Sequence, residues 1–108
     1  MLRRFFTAVL EKNAVFEGDF QTEPYESGWA AEALFFVRVL ELSSGGRLTC
    51  KPQISPDGLH WCDEGGAGTW ASAPGLYSFP VRDFGGWLRL DCRLEGRAKL
   101  LIYLALKE

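Results

Sequence analysis

The sequence predicts an all-β domain: an antiparallel β-sandwich of jelly-roll-like form with about seven to eight short strands. Three observations predict it. Apolar and polar side chains alternate strictly near the C-terminus. β-Branched and aromatic residues gather in short runs. Glycine- and proline-rich turns at 55–58, 65–68, 74–75 and 85–86 cut those runs apart. With 108 residues, 47% of them apolar, the chain fits one domain, 1–108, with one core.

The alternation is clearest in residues 87–94. Leu88, Leu90, Cys92 and Leu94 fall on one face, and Trp87, Arg89, Asp91 and Arg93 on the other. Strand side chains alternate with period two, so the first set is expected in the core. Glu95-Gly96-Arg97 makes a tight turn. In the next run Ala98, Leu100, Ile102, Leu104 and Leu106 form one face, and Lys99, Leu101, Tyr103, Ala105 and Lys107 the other. The two runs read as an antiparallel hairpin.

Upstream, Arg47–Ile54 reads as a strand that follows the turn Ser43-Ser44-Gly45-Gly46. Pro52 has no N–H for a ladder, which places an edge or a bulge there. Ala31–Leu42 carries alanines that permit a helix. Phe35, Phe36, Val37 and Val39 favour a strand, and the Gly-Gly turn suits a hairpin with 47–54. Leu2–Leu10 and Val15–Phe20 read as two further strands, and Leu76–Val81 as another that contains Pro80. Residues 21–28 are the longest polar stretch and are expected to form an exposed loop.

Charge and composition narrow the function. Twelve basic and fourteen acidic residues are mixed along the chain, for a net charge of −2. No basic patch marks a nucleic-acid partner, and no polybasic cluster marks an anionic membrane. The apolar runs fall short of the ~20 residues of a membrane-spanning helix. The opening Met1–Phe6 resembles the charged start of a signal peptide, but Glu11, Lys12 and Asn13 interrupt it. A cytoplasmic or particle-associated protein is therefore the expectation.

Catalytic chemistry finds little support. Cys50, Cys62 and Cys92 are odd in number and lack a Cys-x-x-Cys spacing, so buried free thiols are expected and zinc is not. His60, the only histidine, would share a strand face with Cys62, yet no third group orients such a pair. Asp57, Asp63 and Glu64 lack EF-hand spacing and read as solvated loop carboxylates. No nucleophile elbow, phosphate loop or dinucleotide fingerprint occurs, so neither a catalytic residue nor a cofactor is predicted.

The aromatics are the remaining pointer: four tryptophans, three tyrosines and eight phenylalanines. Trp87 shares the polar strand face with Arg89, Asp91 and Arg93. Trp29 and Tyr25 flank the polar stretch, and Trp61 follows a turn. Arg, Trp and Tyr are enriched at interface hot spots, and exposed Trp and Tyr also serve as stacking platforms for sugars. These seven residues are the candidate binding set, for a second copy or larger protein assembly, or for a glycan. The ordinary alternative is that the rings simply fill the core.

Ser55-Pro56-Asp57-Gly58-Leu59-His60-Trp61 is the most distinctive local pattern. It is a turn: proline presets the backbone, Asp57 bonds its own main chain and Gly58 supplies a positive φ. It resembles the Asp-box turn of sialidase-type propellers, with Gly and Trp each one residue early. Taken with Gln53, the 87–106 pair of strands and Lys107, it also resembles small bacterial and phage β-sandwich proteins of the virion decoration, tail and fibre type. That likeness, over residues 47–107, implies a jelly-roll or galactose-binding-like sandwich and a structural role without catalysis.

Overall fold

The computed structural model describes residues 4–66 and 68–108. Among the described residues ten strands run in chain order: β1 (Phe5–Glu17), β2 (Phe20–Gln21), β3 (Tyr25–Glu26), β4 (Glu32–Leu42), β5 (Arg47–Ser55), β6 (Cys62–Asp63), β7 (Thr69–Ala71), β8 (Gly75–Val81), β9 (Trp87–Glu95) and β10 (Arg97–Lys107). They make two antiparallel sheets packed face to face, a β-sandwich. One has the order β1-β10-β4-β8. In the other, β9 and β5 are central, β2 and β3 flank β9, and β6 and β7 flank β5. The expected count of seven to eight was low because two-residue strands carry no periodicity to read.

The expected core faces are the observed ones. Leu88, Leu90, Cys92 and Leu94 of β9 meet Leu100, Ile102, Leu104 and Leu106 of β10 across the interior, all buried. Phe35, Val37 and Val39 of β4, Leu48 and Cys50 of β5, and Phe79 of β8 complete that layer.

Two expected hairpins are not hairpins. β9 pairs with β5, and β10 pairs with β4, so both tight turns carry the chain from one sheet to the other. In a hairpin the two apolar faces lie side by side; in an arch they face each other through the core. Alternation reports which face is buried and is identical in the two cases. The arches sit against each other. Ser43 N–H donates to Arg97 O (2.9 Å), and Arg97 N–H donates to Ser43 Oγ (2.9 Å). Gly96, at φ 99°, is required there, because a side chain would run into Ser43 Oγ.

The expected strands 2–10 and 15–20 merge through Glu17, while Phe20 falls in β2 of the other sheet. β1 runs through residues 5–17 along β10, with register shifts between Val9 and Glu11 and between Glu11 and Ala14, and Asn13 at φ 53°. The polar cluster at 11–13 that reads as a break is a bulge, which inserts residues without ending a strand. Leu2 lies outside the described residues. Pro52 occupies a gap in the outer ladder. Its partner Leu90 turns its N–H and C=O toward Thr22, so the proline nitrogen points the other way, between the ends of β7 and β6. The 21–28 stretch is not simply exposed: it contains β3, and Thr22 and Ser27 are buried.

Candidate interaction surface

Ser55 Oγ, buried at the end of β5, accepts the N–H groups of Asp57 (3.2 Å) and Gly58 (2.8 Å). Asp57 Oδ1 accepts those of Leu59 and His60 (both 2.9 Å), while Oδ2 lies 2.7 Å from His60 Nδ1. The His60 N–H, then the His60 ring and the Leu59 N–H, hold the Asp57 carboxyl far below the usual carboxylate range. His60 is thus paired with Asp57 in a loop, and Cys62 is exposed on β6, not buried as expected. The ring that covers this turn is Trp87: a side chain at Gly58 would meet it at 3.1 Å.

The outer face of the β9/β5 sheet gathers Trp87, Arg89, Asp91, Arg93 and Trp61. Arg89 Nε donates to Gln53 Oε1 (2.8 Å), and its guanidinium lies 4.3 Å from the Trp61 ring centroid. Asp91 accepts from Gln21 Nε2 (2.8 Å) and Arg93 (3.3 Å), and Arg93 also reaches Asp19 (3.2 Å). Asp19 in turn accepts the Leu94 N–H, and that bond, with Arg93, holds its carboxyl below the usual range. Arg47 lies 4.9 Å from the ring of Trp70, which is 57% exposed. This face is a lattice of side chains bonded to one another.

Tyr25 and Trp29 do not join it. Both pack against the core, Tyr25 with its ring stacked at 6.3 Å on Phe6 and Trp29 with Arg4 at 4.6 Å.

The outer face of the other sheet is different, and it was missed. Leu101, Tyr103 and Ala105 of β10 point outward, opposite the buried leucines. Register sets Leu101 beside Arg38, Tyr103 beside Phe36 and Ala105 beside Leu34 on β4. β8 continues the rows with Leu76, Ser78 and Pro80, and β1 with Thr7 and Val9. Val9 is 51% exposed and Leu76 63%. Each end of this apolar band closes with a mixed-charge row: Lys107 beside Glu32 and Phe5 at one end, Lys99 beside Glu41 and Val15 at the other. A shallow depression lined by Leu34, Pro80, Ala105 and Arg82 lies near the Lys107 end. The signal for this face was in the sequence. Ala33–Val37 and Leu100–Leu106 are apolar on both sides of the pleat, as in strands covered on both faces.

No protein-family model matches the chain, and no curated protein does. Among solved structures the fold is similar to that of the SPBc2 prophage-derived protein YomS, with TM-score 0.63 and 9% identity over 100% of this chain and 96% of that one. A second likeness, to dimeric latent PorU from Porphyromonas gingivalis, has TM-score 0.35 and 14% identity. It covers 98% of this chain and 10% of PorU, and carries no argument. At 9% identity the first likeness establishes the fold alone.

Proposed function

We propose that the chain is a non-catalytic structural module that works by protein–protein association, with copies of itself or as a component of a larger particle of the phage decoration or tail type. The observation that carries this reading is the apolar outer face of the β1-β10-β4-β8 sheet. A sheet with one face in water normally alternates apolar-in with polar-out, and an outer band of exposed Val9 and Leu76 with half-buried Leu34, Phe36, Leu101 and Tyr103 marks a surface suited to be covered. The fold shared with a prophage-derived protein supports the particle half of the reading. Five of the polar groups are engaged structurally: His60 with Asp57, and Arg89, Asp91 and Arg93 with their neighbours.

Photo-crosslinking in the producing cell tests it. A crosslinker placed at Leu101 is expected to give discrete adducts, identified by mass spectrometry as this chain or a particle protein. One placed at Thr49, on the opposite outer face, is expected to give none. Absence of any adduct from position 101 overturns the reading.

Carbohydrate binding draws on the other face, through Trp61 and Trp70. Each ring already carries an arginine, which leaves a single face open to a sugar. A tryptophan emission shift on titration with a glycan panel is the result that would favour it.

A further inference from the structure

We infer that the apolar sheet face binds a second copy of this chain, about a two-fold axis that runs parallel to the strands between β10 and β4. The inference rests on the association reading above and names its partner and geometry.

Size comes first. Four strands at about 4.8 Å spacing, over nine residues at about 3.3 Å each, give a footprint near 570 Å² per copy. Two such faces together exceed the ~1,000 Å² that a specific interface needs.

Charge placement selects the axis. Two sheets stacked face to face can be related by a two-fold parallel or perpendicular to their strands. A parallel axis between the central strands lays β10 of one copy over β4 of the other and keeps every row level. Lys107 then faces the second copy's Glu32, Lys99 faces its Glu41, and Tyr103 faces its Phe36. A perpendicular axis lays each strand over itself and exchanges the ends. Lys107 then faces Lys99, and Glu32 faces Glu41, so every end contact sets like charges together. In the end rows only the parallel axis sets opposite charges together, as an isologous contact requires, while Arg38 between them lies over the second copy's Leu101. The usual crossing of about 30° between packed sheets slides the end rows sideways, a displacement the long lysine side chains span.

The same rows make the arrangement testable. Glu32 and Lys107 are both exposed, so their charges can be changed without disturbing the core. Dimer dissociation is read by light scattering over a dilution series, from about 24 kDa toward the 12.1 kDa of one chain. Lys107→Glu is expected to weaken the dimer by about tenfold, because it sets carboxylates together in both symmetry-related contacts. Adding Glu32→Lys to that variant is expected to restore the original affinity. Under the perpendicular axis Lys107→Glu would tighten the dimer, since it would set a carboxylate over the second copy's Lys99. Tightening, or no change, overturns the parallel arrangement. A chain that stays at 12.1 kDa at every concentration overturns the homodimer altogether. Should Leu101 then still crosslink to a different protein, the association reading stands without it.

Discussion

The two outer faces of this sandwich share one core, yet they solve opposite problems. On the β9/β5 face nearly every long side chain has a partner within the face: Arg89 with Gln53 and Trp61, Asp91 with Gln21 and Arg93, Arg47 with Trp70. On the β10/β4 face the two central strands carry leucine, phenylalanine, tyrosine and alanine between the charged end rows, with Arg38 among them, and the flanking strands add Val9 and Leu76 beside Thr7, Ser78 and Pro80. The first satisfies itself and leaves water outside. The second leaves apolar area that only another surface can remove from water. Tryptophan and arginine on a strand face are therefore poor markers of a binding site when their partners stand in the next strand. Plain aliphatic residues on both sides of one strand mark it better.

The largest effect expected from this contrast is on association. Leu101→Asp should weaken any self-association at least ~30-fold, about 2 kcal/mol, while Thr49→Asp on the opposite outer face leaves it unchanged; sedimentation equilibrium checks both. Next comes the turn that supports the polar face. Ser55→Ala removes the buried hydroxyl that accepts two part-buried N–H groups and should cost about 1 kcal/mol in denaturant unfolding, without altering the oligomer. A smaller loss, about 0.5–1 kcal/mol, is expected for Arg89→Ala, accompanied by a red shift of Trp61 emission as its ring meets water.

The smallest expected effect is the acid sensitivity of the same turn. The fold holds the Asp57 carboxyl below its ordinary value, so the stability it adds is complete above the unfolded value near ~3.9. That stability drains away as pH falls below about 3.9 toward the depressed value. Asp57→Asn should flatten the acid limb of a melting-temperature profile and lower the plateau near neutrality. An acid limb unchanged in the variant would remove this turn from the account.

Much of the fold was legible in the sequence, because burial on one face writes a period of two into a strand. That is why Leu88–Leu94 and Leu100–Leu106 were assigned correctly to the core. Partner choice was not legible: whether Gly96 turns the chain into a hairpin or an arch depends on contacts with Ser43, in a distant turn of the chain. Asn13 and its neighbours fell in a gap between two expected strands because a bulge and a turn favour the same residues. Of the candidate site, Trp87, Arg89, Asp91 and Arg93 share one surface because alternation along β9 put them there, and Trp61 joins it from the loop before β6 by packing on Arg89. Tyr25 and Trp29 were separated from them by the path of residues 21–30, which carries no period. The apolar outer face was overlooked because a leucine that alternates with another leucine looks like more core.

Pairing of β1 with β10 also sets an order of events at the ribosome. Among the described residues, the first strand of the domain has its only sheet partner in the last. At about 5–20 residues per second, the chain between them takes on the order of 5–20 s to emerge. Throughout that interval Leu10 and Phe16, which pack against the core once β1 is in place, have no sheet to join. The domain therefore closes only once β10 has been made.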